Sequence, residues 1–382
     1  MSVHELALQR SKYKHLSDEE WRWFLQQVEG RERTAEKLPT FAAIAEWWYP
    51  VRLSCEQCSS EATARYKAGL VHGTKMADLT GGYGVDTFFM SERFGQTDYV
   101  EQNAELCRIA AHNFAGKAIS IHAATAETFL ETAGVYDLIF LDPARRDNYG
   151  GKVFRLEDCT PDVVQLLPDL LAHGQQLMIK LSPMLDLTQA VKALPQAKWD
   201  IHVVAIKNEV KEVLLVSHPR ESAGEPTITA IDIDKREQAF VFSREEEQAA
   251  QPQMVNGTWS NGTWIYEPNA AILKAGAYKL IAQRFGLRKL DPNTHLYTSD
   301  TLVEHFPGRV WRIKEAPFQL SPKGARDKQA NVLTRNYPLT PEQLKKKLHL
   351  RDGGAAYVIA CRVAGKPTVF LAERVEDIHA ES

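Results

Sequence analysis

The stretch Asp78-Leu79-Thr80-Gly81-Gly82-Tyr83-Gly84-Val85-Asp86 decides how this chain is read. It follows a short β-rich run over 76–79 and opens a helix predicted from position 86. Gly82 and Gly84 let the backbone approach a ligand closely and tolerate positive φ. The helix start behind them presents free N–H groups to that ligand. A dinucleotide fingerprint G-x-G-x-x-G would need glycine or alanine at position 87, where Thr87 stands. The loop fits D-x-x-x-G-x-G instead, with Asp78 at the strand end.

From position 76 to 217, short β-rich runs alternate with helical stretches. Strand runs at 76–79, 98–101, 119–122, 136–141 and 176–181 are each followed by a helical pattern, the last at 187–194. This βαβ rhythm predicts a parallel sheet with helices on both faces. The rhythm then breaks. Runs at 199–206 and 212–217 are separated only by Lys207-Asn208-Glu209, so they should pair antiparallel.

Residues 1–70 read as a helical region. Ser17 and Glu20 form a capping-box signature before an apolar stripe through Trp21, Phe24, Leu25 and Val28, and Gly30 is expected to stop that helix. Trp47-Trp48-Tyr49 is expected in the core. Beyond the sheet at 71–218, a β-rich connecting segment spans 219–266, with Glu245-Glu246-Glu247 as a charged break and Asn-Gly pairs at 256–257 and 261–262 as turns. The last domain, 267–382, reads as α+β: a helix from 269 through 285, capped by Gly286, then a hairpin of 356–363 and 368–373.

The chain has 382 residues, 44% apolar and 25% charged, which excludes a mainly disordered or collagen-like protein. No run of 18 apolar residues exists, so no membrane span is expected. No basic region followed by an apolar stretch marks the N-terminus as a secretory signal, and five cysteines argue against a disulfide framework; both point to the cytoplasm. Between positions 309 and 351 stand eleven basic residues and three acids, a local +8 on a chain of net charge −3. That segment suits a polyanion or a solvated face. Cys55-x-x-Cys58 has no second Cys/His pair nearby and no thioredoxin-like context, so no metal site is expected there.

Asp78-x-x-x-Gly82-x-Gly84 resembles the first motif of class I S-adenosylmethionine-dependent methyltransferases. The resemblance covers about residues 70–218 and implies a Rossmann-like seven-stranded sheet, mostly parallel with an antiparallel final hairpin. It implies that Asp78, Thr80, Gly82, Gly84 and Asp86 approach the methionine end of the cofactor. Glu101, 17 residues after Gly84, stands where the family binds the ribose, with Gln102 beside the adenine. Thr125 and Ala126 stand at the adenine loop after the third strand, where an acid is commoner. Asp142-Pro143 resembles the Asp/Asn-Pro step that lines methyl transfer in nucleic-acid methyltransferases. Ala144-Arg145 follows in place of a second proline and a stacking aromatic, and the stretch after the next strand, Lys180-Leu181-Ser182-Pro183-Met184, lacks the cysteine of RNA uridine-5 enzymes. Arg145 and Arg146 are expected to grip phosphate. The stretch from Glu56 to Lys67 looks like the leader helix of a bacterial methyltransferase group. The C-terminal domain is similar to the THUMP-like domain that follows the catalytic domain in that group.

The reading is a cytoplasmic methyltransferase using S-adenosyl-L-methionine, acting on structured RNA (rRNA or tRNA) held through the 309–351 segment. Alternatives are a methyltransferase of a protein or small molecule, and a non-catalytic RNA-binding protein with a vestigial cofactor site. A nicotinamide oxidoreductase stands behind these.

Overall fold

The computed structural model describes residues 3–145, 156–217, 225–234, 239–256, 262–316, 318 and 329–375. It divides into two compact units, 1–204 with 211–226, and 205–210 with 227–382.

The first seven strands of the main sheet are β1 (Lys75–Asp78), β2 (Gln96–Glu101), β3 (Ile119–Ala123), β4 (Leu138–Leu141), β5 (Leu177–Leu181), β6 (Trp199–Ile206) and β7 (Glu209–Ser217). Their order is β3-β2-β1-β4-β5-β7-β6. The first five are parallel, with Met76 opposite Thr97 and Leu138, and Ile139 opposite Leu177. β7 runs antiparallel to β5, with Met178 opposite Val216. The turn between β6 and β7 is Lys207-Asn208, both in the left-handed region at φ 51° and 61°, which matches a tight hairpin. The parallel sheet and the antiparallel hairpin after it follow the sequence reading, but among the described residues the sheet counts nine strands where seven are expected. Central strands read as unbroken apolar runs because both faces are covered: all four residues of β4 are buried.

Helices of the first unit include α1 (Asp18–Thr34), α2 (Glu61–Gly69), α3 (Val85–Ser91), α4 (Ala104–Asn113), α5 (Ala126–Leu130), α6 (Val163–His173) and α7 (Leu187–Ala193). The capping box at Ser17 and Glu20 forms as read. Gly30, however, does not end α1, which continues to Thr34. Gly30 is a packing glycine: a Cβ there would lie 2.2 Å from Tyr49 Cβ. Phe41, Trp47, Tyr83, Phe88 and Phe89 form one aromatic cluster, with Phe41 and Trp47 stacked at 4.1 Å. Trp47 and Tyr49 are buried as expected, while Trp48 stays half-buried, stacked on His112. The leader stretch is two helices, not one. Arg52–Gln57 ends at Cys58, and Ser60 caps α2 by accepting from the Thr63 N–H.

The second unit opens with β8 (Thr227–Asp232) paired antiparallel to β9 (Phe240–Ser243). The expected charged break is a helix, α8 (Arg244–Ala249), because Ser243 and Glu246 form a capping box. The first Asn-Gly repeat lies largely outside the described residues. The expected helix through 285 is broken into α9 (Ala270–Ala275) and α10 (Leu280–Arg284), where Gly276 turns left-handed at φ 84°. Strands β10 (Trp264–Pro268), β11 (Arg288–Asp291), β12 (Thr294–Ser299), β13 (Gly308–Glu315), β14 (Asn331–Arg335), β15 (Ala356–Val363) and β16 (Lys366–Arg374) join a two-residue strand at 253–254 in one sheet. Its neighbours run β11-β12-β10-β13-β16-β15-β14. The closing hairpin turns on Ala364-Gly365, two residues shorter than read, both at positive φ. Ile265, Leu290, Leu296, Trp311, Ile313, Ile359 and Phe370 form its core, and α11 (Pro341–Leu348) buries Leu344.

Candidate active site

A cleft of about 280 Å³ opens at the carboxyl ends of β1, β2 and β4, where open α/β sheets place their ligands. Asp78, Thr80, Gly82, Gly84, Asp86, Glu101, Gln102, Thr125, Ala126 and Asp142 all line it. Residues up to 64 positions apart are brought together because each follows the end of a parallel strand. Pro143 follows Asp142, partly buried, and does not line the cleft. The Ala144–Arg145 backbone pairs with Cys159–Thr160. The Arg145 side chain and all of Arg146 lie outside the described residues.

The glycine loop has two kinds of glycine. Gly82 (φ +55°) and Gly84 (φ +81°) hold left-handed backbone, and a Cβ on Gly82 would meet only Thr80 O at 3.7 Å. Gly84 is also crowded, by the Phe114 ring at 2.5 Å. Gly81 is required by packing alone, since a Cβ would sit 2.1 Å from the Tyr99 ring. Tyr99 then fixes the loop by donating to the Gly82 carbonyl at 2.6 Å.

Asp78 is buried. It accepts from the Thr80 N–H (3.0 Å) and the Thr87 hydroxyl (2.5 Å), and burial pushes its carboxyl up to about 7 despite these bonds. Thr87, the residue that breaks the dinucleotide pattern, thus braces the motif's acid. Thr80 Oγ accepts from the Asp142 N–H at 2.6 Å and joins the two strand ends. Glu101 accepts from Gly82 N–H (2.9 Å) on one oxygen and Asn103 N–H (2.7 Å) on the other. Each carboxylate oxygen keeps a second lone pair. Thr125 caps α5, accepting from Thr128 N–H, so part of its hydroxyl's capacity is spent on the helix.

Sequence reasoning missed a charged chain behind the cleft. Lys67 on α2 and Glu212 on β7 form a pair at 2.6 and 2.7 Å, both fully buried. Lys67 Nζ also lies 3.2 Å from Asp86 Oδ1, near enough for charge pairing but without hydrogen-bond geometry. Ser59, in the break between the leader helices, donates to Asp86 Oδ2 at 2.6 Å. Lys180 of β5 donates to Ser59 Oγ (3.0 Å) and to Asp142 Oδ2 (2.5 Å) and lies 3.8 Å from Asp86. Burial pushes Glu212 up against the pull of Lys67. Burial also opposes the Asp86 charge, but Lys67, Lys180 and the Ser59 bond bring its pKa below the usual carboxylate value. For Lys180, Asp142 and Asp86 outweigh burial and keep the amine charged. One signal was present: Lys180 is the lone charge in the strand Leu-Met-Ile-Lys-Leu, and a charge in a buried strand requires partners.

Ser54, Gln57 and Cys58 line the same cleft. Burial raises both thiols of the C-x-x-C pair, Cys55 to about 12, so both stay protonated. Among the described residues no three His, Cys, Asp or Glu side chains gather as a metal site. No described helix is long and apolar enough to cross a membrane.

The basic segment is more neutral in the fold than in the sequence. Arg309 and Arg335 both bind the buried Glu267, Arg335 at 2.6 Å. Lys314 pairs with Glu373 at 2.6 Å and Lys345 with Asp352 at 2.8 Å. Lys323, Arg326 and Lys328 lie outside the described residues. Arg312, Lys346 and Lys347 are exposed.

Known proteins resemble this chain in sequence and in fold. Residues 264–307 match a ferredoxin-like domain family and residues 308–374 a THUMP domain-like family. Two uncharacterised S-adenosylmethionine-dependent methyltransferases of Mycobacterium tuberculosis, from strains CDC 1551 / Oshkosh and ATCC 25618 / H37Rv, are each 23% identical over 353 residues. The match covers 89% of this chain and 92% of theirs. The crystal structure of a candidate methyltransferase from Porphyromonas gingivalis W83 is 35% identical, covering 94% of this chain and 92% of that one at a TM-score of 0.86. With its strand order, glycine loop and C-terminal unit all in place, the chain belongs to the class I S-adenosylmethionine-dependent methyltransferases that carry a THUMP-like domain.

Proposed function

We propose that this enzyme methylates structured RNA, rRNA or tRNA, in the cytoplasm. The observation that carries this is the joining of a methyltransferase cleft to a THUMP-like domain with exposed Arg312, Lys346 and Lys347. Bound S-adenosylmethionine supplies an electrophilic methyl group. The residues fit that nucleoside: Glu101 retains two lone pairs for a vicinal diol, and the open side of Gly82 leaves room for the amino-acid tail. Asp78 and the glycine loop hold the tail, Glu101 the ribose, and Gln102, Thr125 and Ala126 flank the adenine. Asp142 stands at the methyl-transfer end, and Arg145 and Arg146 hold phosphate.

Purified RNA from a strain lacking the gene should accept labelled methyl from the cofactor, with RNA affinity falling as salt rises. The pairing of Arg309, Lys314, Arg335 and Lys345 with acids favours a second reading, a protein or small-molecule acceptor. Label appearing in an RNase-treated lysate, and never in purified RNA, would establish that one.

Asp78 adds a pH dependence. Its carboxyl must be ionised to accept from the cationic tail, and its raised value, about 7, means a proton must leave on binding. S-adenosylhomocysteine affinity should fall as pH drops from 8 to 6, approaching about tenfold per unit below 7, and Asp78→Asn should flatten the profile. Calorimetry giving one affinity across that range would contradict the assignment.

A further inference from the structure

We propose that the methyl acceptor is a hydroxyl oxygen, the ribose 2′-hydroxyl of the RNA, held between Asp142 and Lys180. This rests on the RNA reading above and names the atom within it.

An ammonium has three N–H donors. Lys180 uses two, on Asp142 Oδ2 and Ser59 Oγ; its third has no hydrogen bond among the described residues, with Asp86 Oδ2 3.8 Å away, and its side chain stays 13% exposed behind those two cleft-lining residues. Asp142 Oδ1 has no partner among the described residues, and the Asp142 side chain is 40% exposed. The cleft therefore presents a carboxylate oxygen with free lone pairs, backed by an ammonium with one unused N–H.

A hydroxyl matches that pair, since it gives one proton and accepts on a lone pair. An exocyclic base amine gives two protons, and its lone pair, delocalised into the ring, cannot accept from Lys180. An unprotonated ring nitrogen would accept from Lys180 but has no proton for Asp142. A carbon acceptor needs a covalent nucleophile, and Ser182-Pro183-Met184, directly after β5, holds no cysteine. Charge points the same way. An attacking amine gains positive charge, which a neighbouring ammonium repels; an attacking hydroxyl loses its proton and gains from that ammonium.

The step balances. The hydroxyl oxygen forms the new C–O bond at the methyl carbon as the C–S bond breaks and its electron pair goes to sulfur. The hydroxyl proton passes to Asp142 Oδ1 and then to water. Lys180 keeps its proton throughout, stabilising the partial negative charge on oxygen, and its pairing with two carboxylates keeps it charged.

The test uses the full-length enzyme, tritium-labelled cofactor and purified rRNA and tRNA from a strain lacking the gene. A 2′-O-methyl group blocks alkaline cleavage at its own linkage. Label should therefore be recovered in alkali-resistant dinucleotides. Label in mononucleotides would place the methyl on a base, overturning this proposal while the RNA reading survives. No label in any RNA would overturn that reading and this proposal with it. Lys180→Met should lower kcat about 100-fold or more while S-adenosylhomocysteine affinity stays within about threefold. Asp142→Asn, nearly isosteric, should do the same and guards against a Lys180 variant that fails to fold. Native turnover in either folded variant would overturn the proposal.

Discussion

Replacing Glu101 by alanine should weaken S-adenosylhomocysteine binding about 100-fold, by the loss of two charge-assisted hydrogen bonds worth roughly 1.5 kcal/mol each. Two effects combine. The ribose hydroxyls lose their proposed acceptor, and the Gly82 and Asn103 N–H groups lose the carboxylate that holds the loop in shape. Glu101→Gln separates them. Its single carbonyl oxygen can serve either the loop or the diol fully, but not both, so an intermediate loss is expected. Isothermal calorimetry on the three proteins is the measurement. Glu101→Ala binding within twofold of native would remove Glu101 from the ribose site, and with it the placement of the nucleoside along β2.

The second large effect is on stability. Glu212→Ala should destabilise the fold by about 3–5 kcal/mol, because it strands the Lys67 ammonium in a fully buried position. Lys67 would be left only Asp86, at 3.2 Å and without hydrogen-bond geometry. The double change Lys67→Met with Glu212→Leu removes both charges and should recover at least half of the loss. Recovery should fall short of complete, since Asp86 then relies on Ser59 and Lys180 alone. Denaturant unfolding of the single and double variants reads this directly. A Glu212→Ala protein within about 1 kcal/mol of native would show that water reaches the pair, contrary to its burial.

The sheet was legible because its signals are local. Alternating strand and helix runs, a two-residue turn at Lys207-Asn208 and a glycine loop after β1 each lie within a few residues of one another. The place of Glu101 on the cleft was legible from its distance to Gly84 along one βαβ unit. What was not legible depends on contacts far apart in the chain. Gly30 reads as a helix stop but is there to admit Tyr49. Gly276, by contrast, breaks a helix that the apolar pattern carries straight through. Lys67 and Glu212 are 145 positions apart, and Ser59 and Lys180 are 121 apart. No periodicity links them. Thr125 shows a third kind of difficulty: its place on the cleft was readable, but its work as a helix cap competes with a ligand role.

The break between the two leader helices bears on any attempt to shorten the protein. Ser59 and Lys67 reach the catalytic sheet from opposite ends of that short stretch, one through Asp86 and Lys180, the other through Glu212. An engineer who trims the first seventy residues to obtain a minimal transferase would leave three acids crowded around one amine. The trimmed piece should come out of expression insoluble, and grafting this catalytic core onto another domain requires carrying its own N-terminal wrapping along.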